Sequence, residues 1–137
     1  MIVVPKPWLK GFYALLGVGA ALNGLWMLLA PVDWFSRIPG VTHTGPLNLH
    51  LVRDLGGTYL LLGLILLVAW ARGGLTRALH LWVLLFFLFH AALHVWDLFA
   101  GRLGREHWRI DFPGVFLPVL LLAVFSLPFA WKQEAPP

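Results

Sequence analysis

Apolar positions along this chain do not alternate; they run together in long blocks. Residues 11–30 form a stretch in which Asn23 is the one strongly polar side chain, and comparable stretches follow at 47–71, 75–100 and 112–131. Each is about as long as the roughly 20 helical residues needed to cross a hydrocarbon layer about 30 Å thick. The pattern therefore predicts four membrane-spanning helices. Lys6 and Lys10 before the first block also suit a signal peptide, but the block continues through Trp26, Met27 and Leu29 and reads as a span. Short connections between consecutive helices make neighbours antiparallel. The fold class expected is all-α, an integral membrane antiparallel four-helix bundle forming one domain over residues 1–137.

The breaks between blocks differ in character. In the longest, 31–46, Val32, Trp34, Phe35 and Ile38 interleave with Asp33, Ser36 and Arg37, which predicts a short amphipathic piece lying on the membrane surface. Residues 72–74 read as a tight turn. Residues 101–111 hold three arginines, Glu106 and His107 and read as a solvated polar loop. In the fourth block Pro113 sits near the first turn, where it is tolerated, whereas Pro118 and Pro128 lie inside and should bend the helix or release carbonyls. Trp8, Trp26, Trp34, Trp70, Trp96, Trp108 and Trp131 fall near block ends, as interfacial aromatic belts do.

Composition agrees with this pattern. The chain is 60% hydrophobic and 12% charged, against roughly 25% charged residues in soluble proteins, so its expected partner is the lipid bilayer. It has no cysteine, which removes disulfides, iron–sulfur ligation and zinc–thiolate sites. The net charge of +4 comes from Lys and Arg placed between the apolar blocks, with no nucleic-acid motif. With both termini in the cytoplasm, Lys6, Lys10, Arg72, Arg77 and Lys132 lie inside, against Arg37, Arg102, Arg105 and Arg109 outside. The positive-inside rule then favours N-in, C-in.

Ionisable groups inside a membrane cost about 2.5 to 3.5 kcal/mol each at a helix centre on insertion scales, so each needs a reason. At about 100° per residue, His90, His94 and Asp97 share one face of the third span, with His80 on its edge towards the other membrane side. His50, Arg53, Asp54 and Gly57 share a face of the second span. If Asp54 is level with His90, the common helical rise also sets His50 level with His94, and Arg53 reaches Asp97 by snorkelling. Asp111 enters from the same side. His50, Asp54, His90, His94 and Asp97 are thus candidate ligands of a transition metal (Zn, Fe, Cu or Mn), with Arg53 orienting them; a haem held by His50 with His94 or His90 is a variant. Two alternatives use the same residues: an ion-pair network that locks helix register in a structural subunit of a larger membrane complex or a homo-oligomer, and a proton or small-solute path. His43 and His107 read as solvated loop residues, His80 as interfacial or hydrogen-bonded, and Tyr59 as a packing or lipid contact. Gly17, Gly19, Gly56, Gly57 and Gly63 read as packing positions, and Asn23 as facing the bundle.

Leu15-Leu16-Gly17, Gly24-Leu25-Trp26, Ala30-Pro31 and then Arg53-Asp54-Leu55-Gly56-Gly57-Thr58-Tyr59-Leu60 with Gly63 resemble the first half of small four-helix bacterial membrane proteins of the broad DoxX-like group. The resemblance covers about residues 10–70. It implies a compact four-helix bundle in a prokaryotic inner membrane, and it assigns no reaction and no functional residue.

Overall fold

The computed structural model describes residues 2–134. In chain order the elements are β1 (Ile2–Pro5), α1 (Pro7–Leu29), α2 (Pro31–Arg37), a 3₁₀ turn (Val41–His43), α3 (Leu49–Ala71), α4 (Arg77–Phe99), α5 (His107–Ile110), a π turn (Phe112–Phe116), α6 (Leu117–Phe125), a 3₁₀ turn (Pro128–Ala130) and β2 (Trp131–Glu134). The protein is all-helical apart from one two-stranded ribbon. The described residues fall into two compact units, 7–75 and 2–6 with 76–134.

Local chemistry sets the ends of the long helices. Pro7 and Pro31 open α1 and α2 at positions where a missing N–H costs nothing. Asn48 caps α3 by accepting from the Leu51 amide at 3.1 Å, and Thr76 caps α4 through the Leu79 amide at 3.1 Å. Gly73, with φ at +69°, closes α3 in a conformation that costs other residues steric strain. Three helices, α1, α3 and α4, are long and apolar enough to cross a membrane.

In the 7–75 unit, α1 and α3 pack as an antiparallel pair. A Cβ on Gly24 would run into the backbone of Gly56 and Leu60, and one on Gly63 into that of Gly17 and Ala21. Backbone-to-backbone approach of this kind drives helix association where lipid removes the hydrophobic advantage of contact. Gly17, Gly56 and Gly63 are packing positions as expected, whereas a Cβ on Gly19 or Gly57 would meet nothing within 4 Å. The amphipathic piece at 31–46 is realised as α2, with Asp33 in its first turn and Arg37 in its last, the signs that suit the helix dipole.

In the other unit, α4 lies against the last helical segment. Moving back along α4 from His94 to His80 moves forward along that segment from Asp111 to Ser126, so the two run antiparallel. The fourth block differs from the expected span over 112–131. It is helical only over Phe112–Phe125, a rise of about 21 Å at 1.5 Å per residue. The prolines account for this. Pro118 has no N–H for the carbonyl one turn back, and the preceding turn opens to π form, with the Leu117 amide reaching the Phe112 carbonyl. At the far end Leu127 turns extended ahead of Pro128. The chain then leaves as β2, which pairs antiparallel with β1, Pro5 opposite Trp131 and Ile2 opposite Glu134. Helical periodicity held no sign of this ribbon.

Candidate polar site at the end of α4

The strongest concentration of chemistry lies where α4 ends and the last helical segment begins. Asp111 is 6% exposed and accepts hydrogen bonds from two imidazoles. Its Oδ2 is 2.8 Å from His94 Nδ1, and His107 Nδ1 lies 3.2 and 3.1 Å from Oδ1 and Oδ2. His90 stacks edge-on against His94 with ring centroids 4.9 Å apart. The helices explain the convergence. His90 and His94 are one turn apart on α4, His107 and Asp111 are one turn apart across α5, and α5 folds the connection back so that Leu103 and His107 are buried.

His107 is therefore corrected from a solvated loop residue to a buried partner of Asp111, 1% exposed. The local signal was its spacing of four from Asp111, which puts both on one face of a single helical turn. Arg102, Arg105, Glu106 and Arg109 are exposed as expected, whereas Leu103 and Asp111 are buried with His107. Asp97 binds Arg102 Nη1 through Oδ1 at 2.9 Å, and its backbone carbonyl accepts from the Arg102 and Leu103 amides. It fastens the loop to α4. On α3, His50 Nε2 lies 3.3 Å from Asp54 Oδ2, and both side chains are exposed, as is Arg53.

At the other end of α4, His80 is buried and its Nε2 lies 2.8 Å from Ser126 Oγ. Ser126 Oγ also lies 3.1 Å from the Leu122 carbonyl, one turn back on α6. Arg77 donates to the Ser126 carbonyl at 3.0 Å and lies over the Trp131 ring, whose indole N–H bonds the Phe125 carbonyl. His80 is thus hydrogen-bonded, one of the two roles its sequence position allowed. Its neighbours Ser126 and Trp131 come from the terminal segment that was expected to be span.

A third polar group joins α1 to α2. Trp26 Nε1 donates to Asp33 Oδ2 and Trp34 Nε1 to Asn23 Oδ1, both at 2.9 Å, so each helix gives one indole and receives one. Arg37 also bonds Asp33, and this guanidinium, followed by the Trp26 indole, holds the Asp33 carboxyl below the usual carboxylate range. Asn23 answers to α2, and two of the expected belt tryptophans are clasps.

No family model, curated protein or solved structure matches this chain.

Proposed function

We propose that this chain is a small membrane protein of a bacterial inner membrane, with four crossings and both termini cytoplasmic, that takes up a transition-metal ion at the His90, His94, His107 and Asp111 cluster. One observation carries the metal reading: His94 and His107 both bond a single buried carboxylate through Nδ1. A carboxylate on Nδ1 fixes ring orientation and raises the basicity of Nε2, the arrangement by which proteins prepare imidazole for a metal. For His94, 20% exposed, ligation would go through Nε2. Imidazoles with a carboxylate and no thiolate suit Zn, Fe, Cu(II) or Mn. Such an ion would supply Lewis acidity or redox chemistry, while Asp111 would hold the rings.

The topology has separate support. Pairing of β1 with β2 holds the two ends of the described chain together, which supports their lying on one side of the membrane. With α1, α3 and α4 each long enough to cross, an even number of crossings would make the segment beginning at Phe112 the fourth. Its helix is short for this, and Leu127 with the 3₁₀ turn Pro128–Ala130 lengthens the segment. A four-helix arrangement of the DoxX-like kind is consistent with that count.

A second reading, a polar network that locks the last segment to α4, is favoured by a specific fact. Among the described residues of this unit, no three residues offer ligand atoms that all lie within 4.8 Å of one another. Metal analysis with an absorption spectrum separates the two. Protein purified in mild detergent without chelator should hold about one equivalent of metal, lost in His94→Ala and bound roughly 10- to 100-fold more weakly in Asp111→Asn. Wild-type protein that stays metal-free and colourless after metal is added back would leave the locking role.

A further inference from the structure

We infer that α3 pairs in parallel with α3 of a second copy of this chain, through a face that carries reciprocal Arg53–Asp54 ion pairs. The inference rests on α3 crossing the bilayer and is independent of any metal. One side of α3 is already taken: Val52, Gly56, Gly63 and Leu66 are buried, and Gly56 and Gly63 touch α1 backbone. The opposite side holds His50, Asp54, Gly57, Leu61, Leu64 and Val68, separated alternately by four and three residues. That is the repeat by which two helices mesh side chains into holes along their length.

The polar end of this face is uncovered. The His50 and Asp54 side chains are 89% and 64% exposed. Arg53 is exposed and has no ion-pair or hydrogen-bond partner among the described residues. These residues lie in the first two turns of a helix that crosses a membrane, where ionisable groups pair with one another or face protein. A second copy satisfies them by symmetry. In a parallel pair, the hole that takes Asp54 is lined by the residue just before the partner's Asp54, namely its Arg53. A two-fold axis repeats the pair with the roles exchanged, so a face carrying +1 beside −1 is complementary to itself. Gly57 stands one turn further in with nothing near its absent Cβ, which leaves room for a close crossing. Lower on the same face, Leu64, Ile65 and Val68 line a groove of about 440 Å³ that ends at Arg72, a trough for the partner's apolar side chains.

The absence of native cysteine allows a clean test. Leu61→Cys and Val68→Cys, each the sole cysteine in the full chain, are oxidised in lipid bicelles at low protein-to-lipid ratio. Both should give disulfide-linked dimers, roughly tenfold more than Trp82→Cys on the exposed surface of α4. Within Leu61→Cys, adding Arg53→Asp or Asp54→Arg should lower the dimer about tenfold, and the two together should restore it. A monomer at both reporters, or equal cross-linking at Trp82→Cys, overturns the pairing. A folded double swap that fails to restore the dimer overturns the Arg53–Asp54 contact. Should a charge variant fail to fold, Val68→Cys in the otherwise native chain still decides whether the face is an interface.

Discussion

A buried carboxylate that accepts hydrogen bonds from two imidazoles leaves both rings misplaced when it is removed. Asp111→Ala would strand the His94 and His107 Nδ1 atoms in a nearly dry site, where each unsatisfied polar group costs about 1–3 kcal/mol. Asp97 offers the comparison. Its bond to Arg102 joins two partly exposed side chains, and such surface pairs contribute about 0–1 kcal/mol. Unfolding in detergent should show Asp111→Ala destabilised by at least about 1 kcal/mol more than Asp97→Ala; equal losses would mean that Asp111 does not anchor the end of α4. The sequence marked Asp97 because it shares a helix face with His94, and periodicity says which residues point one way without saying what else arrives there. Asp111 and His107 arrive because a single turn of helix reverses the loop, and one turn is too short for a periodic signal.

The helices themselves were legible. Observed α1, α3 and α4 begin and end within a few residues of the blocks that predict them, because an uninterrupted apolar run bounded by Asn48, Thr76, Pro31 and Gly73 leaves little choice of boundary. Where the code becomes ambiguous, so did the reading: Pro118 and Pro128 could bend a span or end it, and the structure opens one turn and stops the next. The contact between α1 and α3 is specific enough to test by adding one carbon. Gly24→Ala forces a methyl into the Gly56 and Leu60 backbone and should destabilise the protein by about 1–3 kcal/mol through overpacking. Gly19→Ala, in open space on the same helix, should be neutral or stabilising by up to about 1 kcal/mol, since glycine weakens a helix interior. Thermal melts in one detergent compare them directly. Loss of stability in both would place the Gly19 surface in contact as well.

For the whole molecule, the ribbon between β1 and β2 makes topology measurable. In intact cells a membrane-impermeant thiol reagent should label Thr44→Cys and Arg105→Cys, and should reach Gln133→Cys only after permeabilisation. If Gln133→Cys labels together with Arg105→Cys, the last segment turns back without crossing. The ribbon has another implication, for assembly in time. The 7–75 unit is contiguous in the chain, and it is nested inside a second unit whose first strand, Ile2–Pro5, precedes it and whose last strand, Trp131–Glu134, follows it. As the polypeptide emerges from the ribosome, α1 and α3 can close their glycine contacts as soon as residue 71 has been made. Strand β1 must wait, without its partner, until Trp131–Glu134 has been made. The nested pair is therefore the early template of biogenesis, and the ribbon is a latch that shuts last, so a ribosome stalled before residue 131 would leave the first unit built and the second open.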